Sequence, residues 1–142
     1  MSIWYKKVTV EDLNTRGQHS LSDFLRIRFI AIGDDFLKAT MPADERTKQP
    51  LGIVHGGANV VLAETVASTA ANAVVDTETQ YCVGLEINAN HLRSVRTGLI
   101  TAITRPIHIG RSTQVWHIDL FDEEGRNTCI SRMTAAVLSR SQ

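Results

Sequence analysis

Gly56-Gly57-Ala58-Asn59-Val60-Val61-Leu62-Ala63-Glu64-Thr65-Val66-Ala67-Ser68-Thr69-Ala70-Ala71-Asn72-Ala73-Val74-Val75 is the stretch on which the fold turns. It is too long for a strand and is entered through two glycines, so it reads as the main helix of the chain. Glu64 is its only ionisable residue. The rest is Gly, Ala, Val, Leu, Thr, Ser and Asn, so the helix is apolar nearly all round and is expected to be buried. A lone carboxylate there needs a reason: an ion pair or cap inside the fold, or chemistry.

Four segments after the helix read as strands: Tyr81 to Leu92, Leu99 to Thr104, Thr113 to Phe121 and Asn127 to Leu138. Between them lie Ser94 to Gly98, Pro106 to Gly110 and Asp122-Glu123-Glu124-Gly125, all rich in turn-forming residues, and this order predicts an antiparallel meander. In Thr113 to Phe121, Trp116, Ile118 and Leu120 share one face, and Val115, His117, Asp119 and Phe121 share the other. Before the helix, Thr9-Val10-Glu11-Asp12 signals a short helix ending near Gly17, with a further helical turn at Ser20 to Leu25. Phe29 to Met41 is broken by Gly33-Asp34-Asp35, giving two short strands, and Pro42 closes them. The sum is an α+β layer arrangement, a curved antiparallel sheet of about five or six strands around one long helix, in a single domain over residues 1–142.

The chain has 142 residues, 43% hydrophobic and 21% charged, and its 15 basic residues balance its 15 acidic ones. Such a chain is expected to fold, and its charge gives no general reason to bind nucleic acid or an anionic membrane. Cys82 and Cys129 lie apart in apolar stretches, which predicts buried free thiols. The first residues lack the apolar core of a signal peptide, and no run is long enough to span a bilayer. The expected location is the cytoplasm.

Glu64 and Ser68 stand four apart and share a helix face. The loop Gln49-Pro50-Leu51-Gly52-Ile53-Val54-His55-Gly56-Gly57 delivers the unpaired backbone N–H groups of the helix start, donors suited to a developing oxyanion. A carboxylate near such donors can attack an acyl carbon or activate water, and Gln49 and His55 can polarise a carbonyl. Taken singly, each has a plainer reading: a paired acid, a loop histidine, a turn with a helix start.

The run Gln49 to Ala58, with Ala63-Glu64-Thr65, resembles the active-site segment of hotdog-fold thioesterases. The branch it is most similar to contains 4-hydroxybenzoyl-CoA and 1,4-dihydroxy-2-naphthoyl-CoA thioesterases and the proofreading thioesterase of enterobactin synthesis. The likeness extends to Gly33-Asp34-Asp35, Asn88 to His91, Pro106 to Arg111 and Phe121 to Glu123. It implies Glu64 as nucleophile or general base, Gln49 and His55 against the thioester, the Gly56 N–H on its carbonyl, and Ser68 beside the water or an aromatic acyl group. It also implies coenzyme A along Gly84, along His91, Leu92, Arg93 and Ser94, and along His108, Ile109, Gly110, Arg111, Ser112 and Thr113, partly from another subunit. Arg93 and Arg111 bring positive charge suited to phosphates. The substrate would be an acyl-CoA, with acyl carrier protein a possible donor. No separate cofactor is implied, since coenzyme A is part of the substrate, and the assembly would be a homotetramer, a dimer of dimers.

Rival chemistries have less support. There is no G-x-S-x-G elbow, and Ala58 stands where a P-loop needs lysine. The five histidines show no metal-ligand spacing. An enoyl-CoA hydratase of the same fold would pair an Asp with a His at short spacing, but Asp44 is far from His55 in sequence. A non-catalytic acyl-CoA or acyl-carrier binding protein, with Glu64 merely structural, is the alternative of a different class.

Overall fold

A computed structural model describes residues 1–141. Thr9 caps the first helix, α1 (Val10–Arg16), by accepting from the Asp12 N–H, and the Asp12 carboxylate accepts from the Thr9 N–H in return. A one-turn helix, α2 (Leu21–Phe24), follows. Then come β1 (Arg28–Ile32), β2 (Leu37–Pro42) and the long helix α3 (Gly56–Ala73). Four strands complete the chain: β3 (Gln80–His91), β4 (Leu99–Ile109), β5 (Thr113–Phe121) and β6 (Asn127–Ser139). All six strands form one antiparallel sheet wrapped on α3, in the order β1-β2-β4-β5-β6-β3.

That order corrects the simple meander. Strands β4, β5 and β6 are consecutive neighbours, but β3 pairs with β6 and lies at the far edge. Leu92 to Gly98 therefore does not make a hairpin. It crosses the ends of β6 and β5 to reach β4, and Val95 on the way plugs the end of the core. A polar break marks the end of a strand but not its partner, so sequence alone could not tell a hairpin from a crossing.

Strand β4 also runs beyond its expected end at Thr104. Pro106 has no N–H to give a ladder, and the sheet accommodates it at a bulge between Pro106 and His108. Pairing then resumes, so His108 and Ile109 belong to the strand and the turn begins at Gly110. Further bulges lie between Phe29 and Ala31, between Gly84 and Glu86 and between Leu120 and Phe121. Bulges of this kind bend a sheet around a helix.

The core is where the alternation places it. Leu37, Ala39 and Met41 of β2, Ile100 and Ala102 of β4, Trp116, Ile118 and Leu120 of β5, and Cys129 and Met133 of β6 are all fully buried. They pack on Leu62, Ala63, Val66, Ala67, Ala70 and Ala71 of α3. The helix is buried on that face only. Val61, Glu64, Thr65, Ser68, Thr69 and Asn72 form a second, half-open face, so the expectation of burial all round holds for one side. Among the described residues, no helix is long and apolar enough to cross a membrane.

Candidate active site

The segment before α3 is folded tightly on itself. Thr47 is buried and its hydroxyl donates to Pro42 O (2.9 Å), while its carbonyl accepts the His55 N–H (2.7 Å). Gln49 and Ile53 close a loop (2.9 Å) whose turn needs Gly52 in the left-handed region at φ 81. Gln49 Oε1 accepts from the Leu51 N–H, and among the described residues its amide NH2 has no acceptor. Asp44, at the base of this segment, is bound by Arg46, whose hydrogen bond holds the carboxyl below the ordinary aspartate range against the effect of burial. The Asp44 carboxylate is thus paired with Arg46, and among the described residues it makes no hydrogen bond to His55.

His55 is the N-cap of α3: its Nδ1 accepts the Gly57 N–H (2.8 Å). A neutral ring that accepts at Nδ1 carries its proton at Nε2, so His55 keeps one outward donor. No acceptor is found for the Gly56 N–H among the described residues. The free Gln49 amide, His55 Nε2–H and Gly56 N–H together form a donor array at the helix start.

Glu64 lies two turns further on. Its Oε2 lies 2.5 Å from where a Cβ at Gly84 would be, so the carboxylate rests on bare β3 backbone. Among the described residues it takes part in no ion pair and accepts no hydrogen bond. The structural explanations for a lone acid, an arginine partner or a cap, therefore have no counterpart here. Replacing Gly84 by alanine must displace the carboxylate. Gly84→Ala is expected to lower turnover by roughly 10- to 100-fold while the thermal unfolding midpoint stays close to that of the wild type, measured by thiol release and circular dichroism.

Strand β3 runs antiparallel to α3 and touches it at successive points. Asn72 exchanges hydrogen bonds with the Cys82 backbone (2.8 and 3.1 Å), Glu64 meets Gly84, and Asn59 meets His91. This sorts the candidate residues into two groups. Near the helix start are Gln49, His55, Gly56 and His91, with Leu92, Arg93 and Ser94 on the crossing segment. A cleft of about 300 Å³ lies among them, lined by Gln49, Ile53, Gly56, Asn59, His91 and Arg93. Towards the other end are Glu64, Ser68, Gly84 and the β4–β5 turn.

Ser68 donates weakly to Met133 Sδ (3.5 Å) and lines a second cleft of about 290 Å³ with Leu13, Arg16, Phe29, Thr65 and Thr69. In the β4–β5 turn the Gly110 N–H donates to Thr113 O (2.9 Å), His108 leans over Gly110, and Ser112 O accepts from Val137 (2.9 Å). Ile109 and Arg111 are exposed.

One chain does not bring the two groups together. Eight residues of helix separate Gly56 from Glu64, about 12 Å along the axis at 1.5 Å per residue. Cross-strand pairing puts His91 level with Cys129 and Leu120, and Thr113 level with Ala136 and Val83. The two proposed coenzyme A stretches therefore lie at opposite ends of β5, roughly 23 Å apart at a strand's rise per residue. The sequence reading had set carboxylate and donors side by side, and the helix rise corrects it. Sequence reasoning also passed over Asn59, a single polar residue in an apolar run whose only signal was its position one turn after Gly56.

Burial pushes both thiols up, so neither Cys82 nor Cys129 is poised as a nucleophile. The carboxylate on Gly84 and the donors at the helix start remain as the chemical groups.

A six-stranded antiparallel sheet wrapped round one long helix that presents a solitary acid is the hotdog architecture. The chain matches the Thioesterase superfamily over residues 51–129 and belongs to that family; with the hydrolase and thioesterase names of its relatives, this makes it a thioester hydrolase. It is 54% identical over 136 residues to the 1,4-dihydroxy-2-naphthoyl-CoA hydrolase of Escherichia coli strain K12, a match covering 96% of this chain and 99% of that one. A Pseudomonas aeruginosa thioesterase, crystallised with a glutamine replaced by alanine, superposes with a TM-score of 0.96 at 50% identity, covering 98% and 100% of the two chains. A Staphylococcus aureus thioesterase with the same kind of replacement gives a TM-score of 0.80 at 33% identity, covering 82% and 97%. That protein was also solved with a glutamate, fifteen residues after its glutamine, changed to alanine.

Proposed function

We propose that this thioester hydrolase acts on acyl-CoA, with aromatic acyl groups preferred, at a site shared by two copies of the chain. The observation that carries this reading is the position of Glu64, unpaired on bare β3 backbone and about 12 Å along the helix from donors it must work with. Strand β3 is an open sheet edge with exposed Val83 and Leu85, which a second copy can pair with and cover. Antiparallel pairing of two β3 edges sets the two α3 helices side by side in opposite directions. The Glu64 end of one helix then faces the donor end of the other.

In that arrangement Gln49, His55 and the Gly56 N–H of one subunit hold the thioester carbonyl and stabilise the oxyanion. Glu64 of the other attacks the acyl carbon or takes a proton from water, and the thiol of coenzyme A departs. Ser68 lies one turn from Glu64, in the cleft that would take the acyl group. His91 to Ser94 from one subunit and His108 to Thr113 from the other would flank coenzyme A, with Arg93 and Arg111 on its phosphates. The name of the Escherichia coli relative supports a bicyclic aromatic acyl group. The spacing of the two substituted residues in the Staphylococcus aureus thioesterase supports Gln49 and Glu64, which are also fifteen apart. Two such dimers would make the tetramer, and acyl carrier protein would be an alternative acyl donor.

The test is thiol release from aromatic and aliphatic acyl-CoAs by hybrids of two defective chains. Gln49→Ala and Glu64→Gln homo-oligomers are each expected to be nearly inactive. Co-expressed, they form mixed dimers in which one site carries both defects and the other neither, so about half the wild-type activity per mixed dimer returns. Hybrids as dead as their parents would place the whole site in one chain.

A further inference from the structure

Asn59 stands one turn inside α3, is 5% exposed and has no part in the chemistry outlined above. Its amide nitrogen lies 3.3 Å from Nδ1 of His91. Its amide oxygen has no hydrogen-bond partner, although the residue lines the cleft at the helix start. A buried acceptor left unpaired is costly, and in the wall of a cleft it points to a donor that arrives with a ligand.

The nitrogen side has a consequence for the histidine. A neutral imidazole carries one proton, and the ring nitrogen that accepts is the bare one. With the Asn59 N–H donating to Nδ1, the proton of His91 sits at Nε2. That atom lies 2.8 Å from the ideal Cβ position of Gly56, so the N–H is held over the helix start. Asn59 and His91 thus place one donor over the helix start and one closed, unpaired acceptor in the wall beside it, which a ligand reaches when the amide side chain turns. A secondary amide carries the complementary pair, and the pantetheine arm of coenzyme A contains two such amides, whereas a free acid or a phosphate has no N–H to give.

We propose that Asn59 is a positioning residue for the pantetheine arm: it keeps His91 as an Nε2–H donor to an amide carbonyl of the arm, and its own Oδ1 accepts an amide N–H. The inference rests on the thioesterase reading of this cleft. Its test uses the full-length protein, coenzyme A as the calorimetric titrant, and the ¹⁵N spectrum of the histidine rings. Asn59→Leu is close in size and can neither donate nor accept. Asn59→Asp keeps the acceptor and loses the donor.

The wild type is expected to show His91 protonated at Nε2, Asn59→Asp to move that proton to Nδ1, and Asn59→Leu to give a mixture. Both variants are expected to weaken coenzyme A binding and raise KM by about tenfold, with kcat within about twofold. Combined with His91→Phe, the loss from Asn59→Leu is expected to be less than additive. A wild-type proton at Nδ1, or losses that add in full, would overturn the proposal. If coenzyme A does not bind the wild type at all, the acyl-CoA reading of this cleft falls as well.

Discussion

Glu64→Gln is expected to lower kcat for acyl-CoA hydrolysis by about 1,000-fold while leaving the fold intact. A positioned carboxylate acting as base contributes roughly 100- to 10,000-fold, and glutamine keeps the shape while removing the basic oxygen. Stability should not fall, because among the described residues Glu64 has no partner to lose. Removing a half-buried charge from an apolar helix leaves the unfolding midpoint unchanged or slightly higher. Thiol release under saturating substrate, alongside thermal unfolding, checks both halves. A variant that keeps its rate would leave Glu64 structural and move the search for the base or nucleophile to another residue. Single turnover in ¹⁸O-water bears on the chemistry: label in Glu64 requires a mixed anhydride that water opens at the Glu64 carbonyl, whereas base catalysis puts all of the label in the released acid.

The second large effect concerns the core. Trp116→Ala is expected to destabilise the folded state by about 4 kcal/mol, within the range for removing a large buried aromatic. Trp116 is 0% exposed, and its Nε1–H donates to Gln114 Oε1 (2.8 Å). Gln114 is fully buried as well and donates from Nε2 to Ala71 O in the last turns of α3 (3.3 Å). Truncation therefore opens a cavity under the helix and also leaves a buried amide oxygen unpaired, which adds to the loss. Urea unfolding measures the effect, at one protein concentration throughout so that any association weighs equally on wild type and variant. A loss below about 1 kcal/mol would mean that the sheet and helix collapse into the space.

The elements that could be read from the sequence are those whose signal is local. The capping box Thr9–Asp12 sits in three residues of sequence, and the alternation through Trp116, Ile118 and Leu120 is the pleat itself. The apolar run with one acid marks α3, and its loop marks the donors, so Gln49, His55, Gly56 and Glu64 stand out in the sequence as candidates. What could not be read depends on partners distant in sequence. Nothing in Leu92 to Gly98 says that it crosses two strands, and nothing around Pro106 says that a bulge will absorb it and carry β4 on to Ile109. The half-open face of α3 was hidden for a different reason. Valine, threonine, serine and asparagine at 61, 65, 68 and 72 are small and mildly polar, so they match burial against a sheet and burial against a second helix equally well. The contact of Asn59 with His91 could not be read because the two lie thirty-two residues apart.

Strand β3 is at once the wall against which Glu64 rests and the unfinished border of the sheet. A chain that leaves its border open exposes the kind of edge on which aggregates grow, and in the proposed dimer covering that edge and completing the site would be one event. Solubility and catalysis would then be coupled. A lesion along Val83 to Glu86 that loosens pairing should first show as activity that fades on dilution, and then as precipitation of chains that are otherwise correctly folded.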